Sequence, residues 1–494
     1  MRVSLIFPKY GQVYEEFEVF FKVAKFFRSP PPLPRPAPPL GLLYLSSSLE
    51  LRGHTVQVID QHSEDLTDEE VVKRIKSFGA DFVGIHVTSA TFQSARKLAM
   101  EIKKKTGLPI AIGGPHVSIE RKKSLEEFKP ADFAFEKDSE ITFGTFIDKF
   151  ELGKDFKDIP GIFFRSNGEV LNTPPNNLDY DFDGIPFPDR SKLPFENYKE
   201  FVPNHGIKIV SAFQTIRGCP FNCIFCSERV IYPKVKFRSV ENVIKELKEI
   251  REKTPIRHLY FVDDTLTLLR KRSMEIFKLM EEEKLGFTFW GSTVASMIDE
   301  RLAEQMVRAG LTSVYFGIES GDPEILKIVK KPANLDQVKR AVKIMNSLGV
   351  EVLGGIVLGL PYETKRKAWS SIKFVWSLKE IDMCGIFLGV PEPGTEYWEM
   401  VQRGEGGIKA IGNLQNLHRG VRYSSYVEVN DINGRSLVFM QKIGLILFYL
   451  SPSRVIRLIR RYGFRFLLIF VLGFVLSQQK SFKKKLLKLF HLRR

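Results

Sequence analysis

Short β-branched runs alternate with helical patterns twice along this chain, and that alternation leaves few folds open. In the first 150 residues the runs VSLIF (3–7), VQVID (56–60), DFVGIHV (81–87) and PIAIGG (109–114) are separated by helical patterns at 40–51, 69–78 and 94–105. Strands and helices at this spacing form parallel strands in a doubly wound sheet, whose ligands sit over the C-terminal strand ends. Those ends carry Pro8, Asp60, Thr88, Ser89, Gly113 and Gly114. A second series follows, with strand patterns at 209–215, 258–264, 287–293, 313–320, 350–359 and 383–390. Its helices are punctuated by Asp299 and Asn334 as N-caps and by Gly310 and Gly349 as stops. Six βα units imply a partial parallel barrel that works at its C-terminal rim. The expected fold class is therefore α/β: an N-terminal doubly wound, Rossmann-like sheet, a partial (β/α)6 barrel, and a helical basic C-terminal region.

The expected boundaries are 1–150 for the first domain, 151–205 for an irregular linker rich in Pro, Asn and Asp, 206–400 for the barrel and 401–494 for the C-terminal region. Between the first strand and helix, Val13, Phe17, Phe20, Phe21, Ala24 and Phe27 share a helical stripe, and seven of residues 30–39 are Pro. The stripe reads either as a packed aromatic helix with a stiff connector or as a lid over an apolar substrate. With 494 residues, 41 Phe and only four Cys, the chain can bury several cores and is neither disordered nor disulfide-stapled. The N-terminus lacks the small-residue cleavage site of a secretory signal, so a cytoplasmic chain is expected.

Three of the four Cys, Cys219, Cys223 and Cys226, fall in RGCPFNCIFCSE directly after a strand pattern, at the expected rim. Three thiolates on one short loop can hold an iron-sulfur cube and leave one iron open for a ligand. The alternative, a structural zinc site, wants four closed ligands, and neither a second knuckle nor a nearby His accompanies the loop. Cys384 stands apart, readable as a small buried hydrophobe or as a hydrogen-donating catalytic thiol facing the barrel.

At these residues the chain resembles the radical S-adenosylmethionine (SAM) superfamily, whose C-x3-C-x-aromatic-C motif is matched with Phe225 as the aromatic residue. The resemblance implies a 4Fe-4S cluster whose open iron chelates SAM, and electron transfer that cleaves SAM to methionine and a 5′-deoxyadenosyl radical. It also implies a one-electron donor such as ferredoxin or flavodoxin. FVDDTLT with Asp263 and Asp264 is similar to the segment near the methionine moiety. YFGIESG, with Glu319 and Ser320, resembles the ribose region, and GGIVLGLPYET, with Gly355 and Gly359, the motif flanking adenine.

More narrowly, residues 1 to about 400 resemble the subfamily with a cobalamin-binding domain, on the strings APPLGLLYLSSSLELRGHTVQVID, GADFVGIHVTSATF and PIAIGGPHVS. This implies that Gly113 and Gly114 admit cobalamin close to the backbone and that Ser89 bonds its tail. The cobalamin motif D-x-H-x-x-G is not met, so a protein imidazole below cobalt is not implied, although His86 and His116 can approach the cofactor. The Gly-Glu-Gly-Glu stretch of the subfamily appears as EKDSE, retaining Glu136 and Glu140. The Arg often found after the third barrel strand is replaced by Ser292 to Ala295. PEPGTEYW matches the turn after the sixth strand.

The charge has its own location. The chain carries +16, and twelve Lys and Arg without one carboxylate fall in residues 451–494. Arg454, Arg457, Arg460, Arg461 and Arg465, then Lys480, Lys483, Lys484, Lys485 and Lys488, flank apolar runs shorter than the ~20 residues that span a bilayer. That composition fits interfacial helices on an anionic membrane, peripheral on its inner face. Interleaved Leu, Ile and Phe argue against nucleic acid as the partner. The expected activity is cobalamin-dependent methylation at carbon of a lipid or other apolar substrate. Alternatives are radical cyclisation or carbon-carbon bond formation on a lipid or tetrapyrrole, and a non-catalytic membrane-associated cobalamin or cluster sensor. A methylthiotransferase would want N-terminal Cys ligands for a second cluster, and residues 1–218 contain none.

Overall fold

The structure is a computed structural model that describes residues 1–10, 37–412 and 425–464. The aromatic stripe, most of the Pro-rich run and the chain beyond Phe464 lie outside the described residues.

The first sheet is assembled from β1 (Arg2–Phe7), β2 (Thr55–Asp60), β3 (Phe82–His86), β4 (Ile110–Gly113) and β5 (Phe133–Phe135), all parallel. Two antiparallel strands, β6 (Ile162–Ser166) and β7 (Glu169–Asn172), extend it to the order β2-β1-β3-β4-β5-β6-β7. The expectation of an irregular linker at 151–205 is corrected here. Ile162, Phe163 and Phe164 are buried and continue the sheet, although the Pro and Asn around them read as loop. Helices cover both faces. Helices α1 (Leu40–Glu50) and α6 (Glu140–Glu151) pack on one face, through Leu42, Leu43, Phe143 and Phe146. On the other lie α2 (Asp68–Phe78) and α3 (Phe92–Thr106), with the short α4 (Pro115–Glu120) and α5 (Lys122–Glu127) beside them. Thr67 and Glu70 form a reciprocal capping box at the start of α2, and Gly79 ends it in the left-handed region.

The second sheet runs β16-β15-β14-β13-β12-β9-β8. Its six parallel strands are β9 (Gly206–Phe213), β12 (His258–Phe261), β13 (Thr288–Thr293), β14 (Leu311–Glu319), β15 (Glu351–Leu358) and β16 (Met383–Leu388). β8 (Lys199–Val202) is antiparallel at one edge, and the two-residue pair β10 (Ile216–Arg217) and β11 (Lys236–Phe237) lies apart. Helices α8 (Val240–Lys253), α9 (Arg270–Glu282), α10 (Glu300–Arg308), α12 (Leu335–Ser347) and α13 (Lys365–Ser377) cover the outer face; α7 (Glu228–Ile231) and α11 (Pro323–Ile328) are short turns near the rim. Asp299 and Asn334 cap α10 and α12 as the sequence implies, accepting from Leu302 and Gln337 backbone N–H. The inner face is a lumen. Val210, Tyr260 and Trp290 on β9, β12 and β13 join the core of the first domain, so the first domain covers that side of the lumen.

Beyond the barrel come α14 (Glu396–Arg403), the hairpin β17 (Ile408–Ala410) and β18 (Val427–Val429), then α15 (Gly434–Tyr449) and α16 (Pro452–Tyr462). An unpaired sheet edge is a liability, and α15 covers the edge of β16. Gln441 Nε2 donates to Ile386 O (2.8 Å), while Tyr449 OH accepts from Cys384 N (3.2 Å) and donates to Cys384 O (3.1 Å).

The arginines of α16 correct an expectation. Arg454, Arg457 and Arg461, expected to meet lipid, turn inward to the barrel instead. Arg454 is fully buried and donates to the carbonyls of Val375, Trp376 and Leu378 at 2.8–2.9 Å, which caps the C-terminal end of α13. Arg461 Nε meets the buried Asp382 at 3.1 Å, with Arg457 at 3.6 Å.

Candidate cofactor and substrate site

The cysteine loop leaves β9 at the rim and is pinned on several sides. The Asp263 carboxylate, fully buried at the end of β12, accepts from Thr215 N (2.7 Å), Ile216 N (2.9 Å) and Thr215 Oγ1 (2.7 Å). Burial pushes this carboxyl up to about 6 against the pull of those bonds. Gly218 turns the chain at φ +85°; a Cβ there would stand 2.9 Å from Tyr232 Cβ, so the close approach and the positive φ both require glycine. Ile224, at the centre of the loop, donates to Val329 O and accepts from Tyr397 N. Cys219 and Cys223 are half-buried and Cys226 is exposed; Cys223 and Cys226 wall an open space of about 590 Å3 together with Asn222, Arg229 and Lys330.

Among the described residues no three His, Cys, Asp or Glu side chains converge on a point that a single ion would occupy. Three thiolates on one loop can ligate three different irons of one cube. Partial burial pushes the Cys219 and Cys223 thiols up, so loading the loop with metal displaces protons. The donor set, three thiolates on one pinned loop, therefore fits a 4Fe-4S cluster.

Beside the loop, on the lumen side of β14, Glu319 and Lys331 form a half-buried ion pair at 2.9 Å. Glu319 holds φ +63° where the β14–β15 register breaks, an uncommon conformation that turns its carboxylate over Gly317. Burial opposes the charge on Lys331, but Glu319 and the nearby Cys223 thiol keep its pKa above the usual lysine range. A cation and an anion side by side suit the amino-acid end of SAM, which carries one charge of each sign.

Gly317, Gly355 and Gly385 stand in register on β14, β15 and β16 and face the lumen. Their missing side chains make room for others that fold over the sheet. A Cβ on Gly355 would lie 2.0 Å from the Tyr315 hydroxyl, and one on Gly385 would lie 2.5 Å from the Phe387 ring.

The second cavity, about 550 Å3, lies between the domains. From the first sheet it is lined by Leu40, Gly41, Gly113 and Gly114, and from the barrel by Gln214, Arg217 and Val262. Gly41 presents bare backbone to it, with nothing within 4 Å of where a Cβ would stand. Gly114 has φ +106°, and a Cβ would meet Val87 O at 2.9 Å. Two buried polar atoms in its wall, the Tyr44 hydroxyl and His86 Nδ1, have no hydrogen-bond partner among the described residues. Burial lowers His86 to about 4 and leaves it neutral. A glycine-floored cavity over strand C-terminal ends, with orphaned polar atoms and an apolar wall, fits the amide-fringed corrin of cobalamin.

Arg217 joins the two sites. It donates to Tyr180 OH and Glu140 Oε1 (both 2.7 Å), lies 3.1 Å from Asp138 Oδ1, and covers the Phe182 ring at 4.3 Å. The acidic remnants of EKDSE thus hold an arginine two residues from Cys219. The adjoining Arg in RGC is its trace in the sequence, but the pairing across 77 residues left no local pattern. Lys331 and Gln214 were likewise not legible.

Other residues singled out in the sequence fall in varied places. Gly113 and Gly114 line the cavity, whereas Ser89 lies outside its lining and pairs with His116 Nδ1 at 3.2 Å. Phe225 is half-buried against the barrel core. Asp264 meets Glu228, and burial with this neighbour pushes Glu228 up to about 9. Ser320 is fully buried; its Oγ pairs with Ser371 Oγ (3.0 Å) and accepts from Asp322 N, which makes it a turn residue. Gly359 is held by Glu363 Oε2 on its N–H and by Tyr397 OH on its carbonyl. Cys384 corrects the catalytic reading: it points to the helix side of β16, packed in the core near Tyr449 and Arg454, while Met383, Gly385 and Phe387 face the lumen. Burial pushes its thiol up to about 12.

A half-barrel with a three-cysteine rim loop, faced by a doubly wound sheet with an apolar cavity over its strand ends, defines a radical SAM enzyme with a cobalamin domain. Comparison with known proteins agrees: the Radical SAM superfamily profile matches residues 213–375 and the B12 binding domain profile residues 33–147. The uncharacterized methyltransferase PH0819 of Pyrococcus horikoshii is 33% identical over 86% of this chain and 91% of its own. The hopanoid C-2 methylase of Rhodopseudomonas palustris is 25% identical over 81% of this chain and 70% of its own. The structure of the radical SAM methyltransferase TsrM from Kitasatospora setae, with cobalamin and a 4Fe-4S cluster bound, superposes with a TM-score of 0.67 at 16% identity, covering 83% of this chain and 81% of TsrM. The chain belongs to the cobalamin-dependent radical SAM enzymes, and its cofactors are a 4Fe-4S cluster, SAM and cobalamin.

Proposed function

We propose that this enzyme methylates an unactivated carbon of a lipid or similarly apolar substrate. The observation that carries this reading is the lumen: its open side and rim expose Val262, Tyr362, Phe387 and Val390, with the Glu319–Lys331 ion pair on its wall. Exposed large apolar side chains inside a working cavity favour a substrate that recognises surface rather than hydrogen bonds. Cys219, Cys223 and Cys226 would hold the cluster, Glu319 and Lys331 the charged end of SAM, and Gly113 and Gly114 the backbone approach to cobalamin. When bound, these groups supply a 5′-deoxyadenosyl radical for hydrogen abstraction and a methyl group for transfer. The protein's part is to exclude water and hold the reacting carbon between the two cavities, a role for Val262, which faces both the lumen and the inter-domain space.

Likeness to a hopanoid methylase supports the lipid class. The basic, apolar C-terminal composition supports residence on the inner face of an anionic membrane. Electrons would come from a small one-electron donor such as a ferredoxin or flavodoxin.

The test is anaerobic turnover of the reconstituted, reduced enzyme with SAM carrying a deuterated methyl group and a total lipid extract. Deoxyadenosine release together with a labelled lipid is the expected result. Absence of deoxyadenosine with and without lipid defeats the catalytic reading. Label confined to polar metabolites would redirect the substrate class.

A further inference from the structure

We propose that the outer face of α15 and α16 is a docking surface for an anionic lipid bilayer, built into the folded enzyme and not confined to residues 465–494. The inference rests on the apolar-substrate reading above and specifies where the membrane meets the fold.

Helix α15 is apolar on two sides. Leu437, Met440, Gly444 and Phe448 are buried on the edge of the barrel. On the other side Phe439 is 60% exposed and Leu450 66%, and Ile446 and Leu447 are exposed between them. Those residues are spaced i, i+7, i+8 and i+11, which places them on one stripe along the helix.

Helix α16 turns Leu458 and three of its four arginines toward the barrel and Ile456 and Arg460 outward. Arg454, Arg457 and Arg461 face the barrel, Arg454 donating to backbone carbonyls and the other two pairing with Asp382, and Tyr462 OH donates to buried Glu351. Ile456 and, just past the helix, Phe464 face outward, 51% and 65% exposed. An outward face that sets Ile456 and Phe464 beside Arg460, next to the apolar stripe of α15, suits the boundary between anionic headgroups and acyl chains.

Three observations choose the bilayer as the occupant. Among the described residues no single helix is long and apolar enough to cross a membrane; the α15–α16 pair is long enough together but is bent by 68° and packs one side on the barrel through Leu437, Phe448 and Arg454, so its exposed stripes fit a surface. No carboxylate follows Asp431 in the sequence, so a second copy pairing this face with itself would bring like charges together, whereas anionic headgroups supply the missing sign. Finally, α15 lies along the outer edge of β16, the strand whose lumen side exposes Phe387 at 50%. The bilayer would then lie beside the open side of the lumen, a short path for a lipid.

The experiment is flotation of the full chain with vesicles of phosphatidylcholine alone or mixed with phosphatidylglycerol. It compares wild type, the variant Phe439→Ser/Leu447→Glu/Leu450→Glu, the single variant Leu450→Glu, and Lys483→Gln/Lys484→Gln/Lys485→Gln. Wild type is expected to float with the anionic vesicles, the triple stripe variant to lose about tenfold or more of that partition, and Leu450→Glu to lose part of it. Phe439, Leu447 and Leu450 are exposed, so thermal stability should hold in the stripe variants; if the triple variant does not fold, Leu450→Glu decides. Equal flotation of stripe variants and wild type overturns the proposal, as does loss of every bit of binding in the lysine variant with none in the stripe variants. A wild-type dimer that becomes monomeric in the stripe variants, seen by light scattering, overturns it in favour of a second copy. Deoxyadenosine formation is read in detergent on the same proteins. Lost flotation with retained cleavage leaves the catalytic reading standing, and absent cleavage in wild type sinks that reading while the docking result stands.

Discussion

The two parallel sheets are built from similar βα units but are finished differently. In the first, strands are buried almost end to end, as in β1 and β3, because helices cover both faces. In the second, β13 and β14 alternate buried and half-buried residues, because helices cover one face and the other is left for ligands. Parallel strands with continuous burial belong to a two-sided core, and an alternation inside a parallel sheet marks a face kept open. The first sheet therefore binds only at its strand ends, while the second can take a substrate against the sheet itself.

The sharpest way to break that division is at the cysteine loop, which serves the open face and supports little of the core. Cys223→Ala should abolish deoxyadenosine formation and remove the visible absorbance of the cluster, with the thermal midpoint of the metal-free protein nearly unchanged. A metal-free variant that unfolds would mean that the loop is part of the core after all. Arg217→Ala attacks the joint between the sheets. It leaves Asp138 and Glu140 buried beside each other without their cation, at a cost of about 3–5 kcal/mol. The expected readout is faster proteolysis between the domains and loss of bound cobalamin. A stable variant that keeps its corrin would show that the apolar contacts of Val210, Tyr260 and Trp290 hold the domains unaided.

Adjacent glycines on β15 test the two faces directly. Gly354 points to the helices, where a Cβ already lies 3.0 Å from Ile318 Cδ1 and 3.4 Å from Ile381 Cδ1. Gly354→Val should cost about 1–3 kcal/mol by overpacking. Gly355 points to the lumen, where its nearest obstacle is the mobile end of Tyr315. Gly355→Val should change stability by less than about 1 kcal/mol and lower turnover by at least about tenfold, since it pushes the Tyr315 hydroxyl end off the sheet into the space a substrate needs. Equal effects from the two variants would dissolve the distinction between the faces.

Strand positions, helix caps and the three cysteines were legible because each is local: hydrophobic runs, Asp299 and Asn334 before helical patterns, thiols at fixed spacing. What was not legible depends on pairs far apart in sequence. Arg217 with Glu140, Lys331 with Glu319, and the arginines of α16 with Asp382 leave no periodic trace, and the last of these made an inward-facing charge look like a lipid-facing one. Cys384 shows the limit within one strand: alternation says that it and Phe387 lie on opposite faces, but only the packing of α15 says which face is the lumen. Strands β6 and β7 were missed because Pro and Asn around them outweighed three apolar residues in a row.

The rim motif on β15 gives a pH test. Burial pushes Glu363 from its ordinary 4.5 up to about 8, against the backbone N–H groups of Gly359 and Leu360 that favour its charge. The folded protein therefore keeps a proton that the unfolded chain has lost. The stability linked to it is fully present below about 4.5 and disappears as pH rises through about 8. The thermal midpoint of wild type should fall across that interval, and Glu363→Gln should flatten the fall. A variant with an unchanged slope would place the titration elsewhere, at Glu200 or Glu351 on the opposite end of the barrel.

The smallest effect is expected where the covered face meets solvent. The Asp299 carboxylate accepts from Leu302 N (2.9 Å) at the start of α10 and from Arg270 Nε (2.8 Å) and Nη2 (2.9 Å), all at a half-exposed site outside both cavities. Asp299→Ala removes the N-cap and should cost about 1 kcal/mol, and Asp299→Asn, which keeps an oxygen acceptor, should recover most of it. Turnover at a temperature well below the thermal midpoint should not move for either variant, because α10 lies behind β13 and β14 and touches neither the cysteine loop nor the lumen. A drop in turnover out of proportion to the lost stability would mean that strain on the covered face reaches the open one through the sheet, so that the second sheet is a single mechanical unit rather than a packed side and a working side.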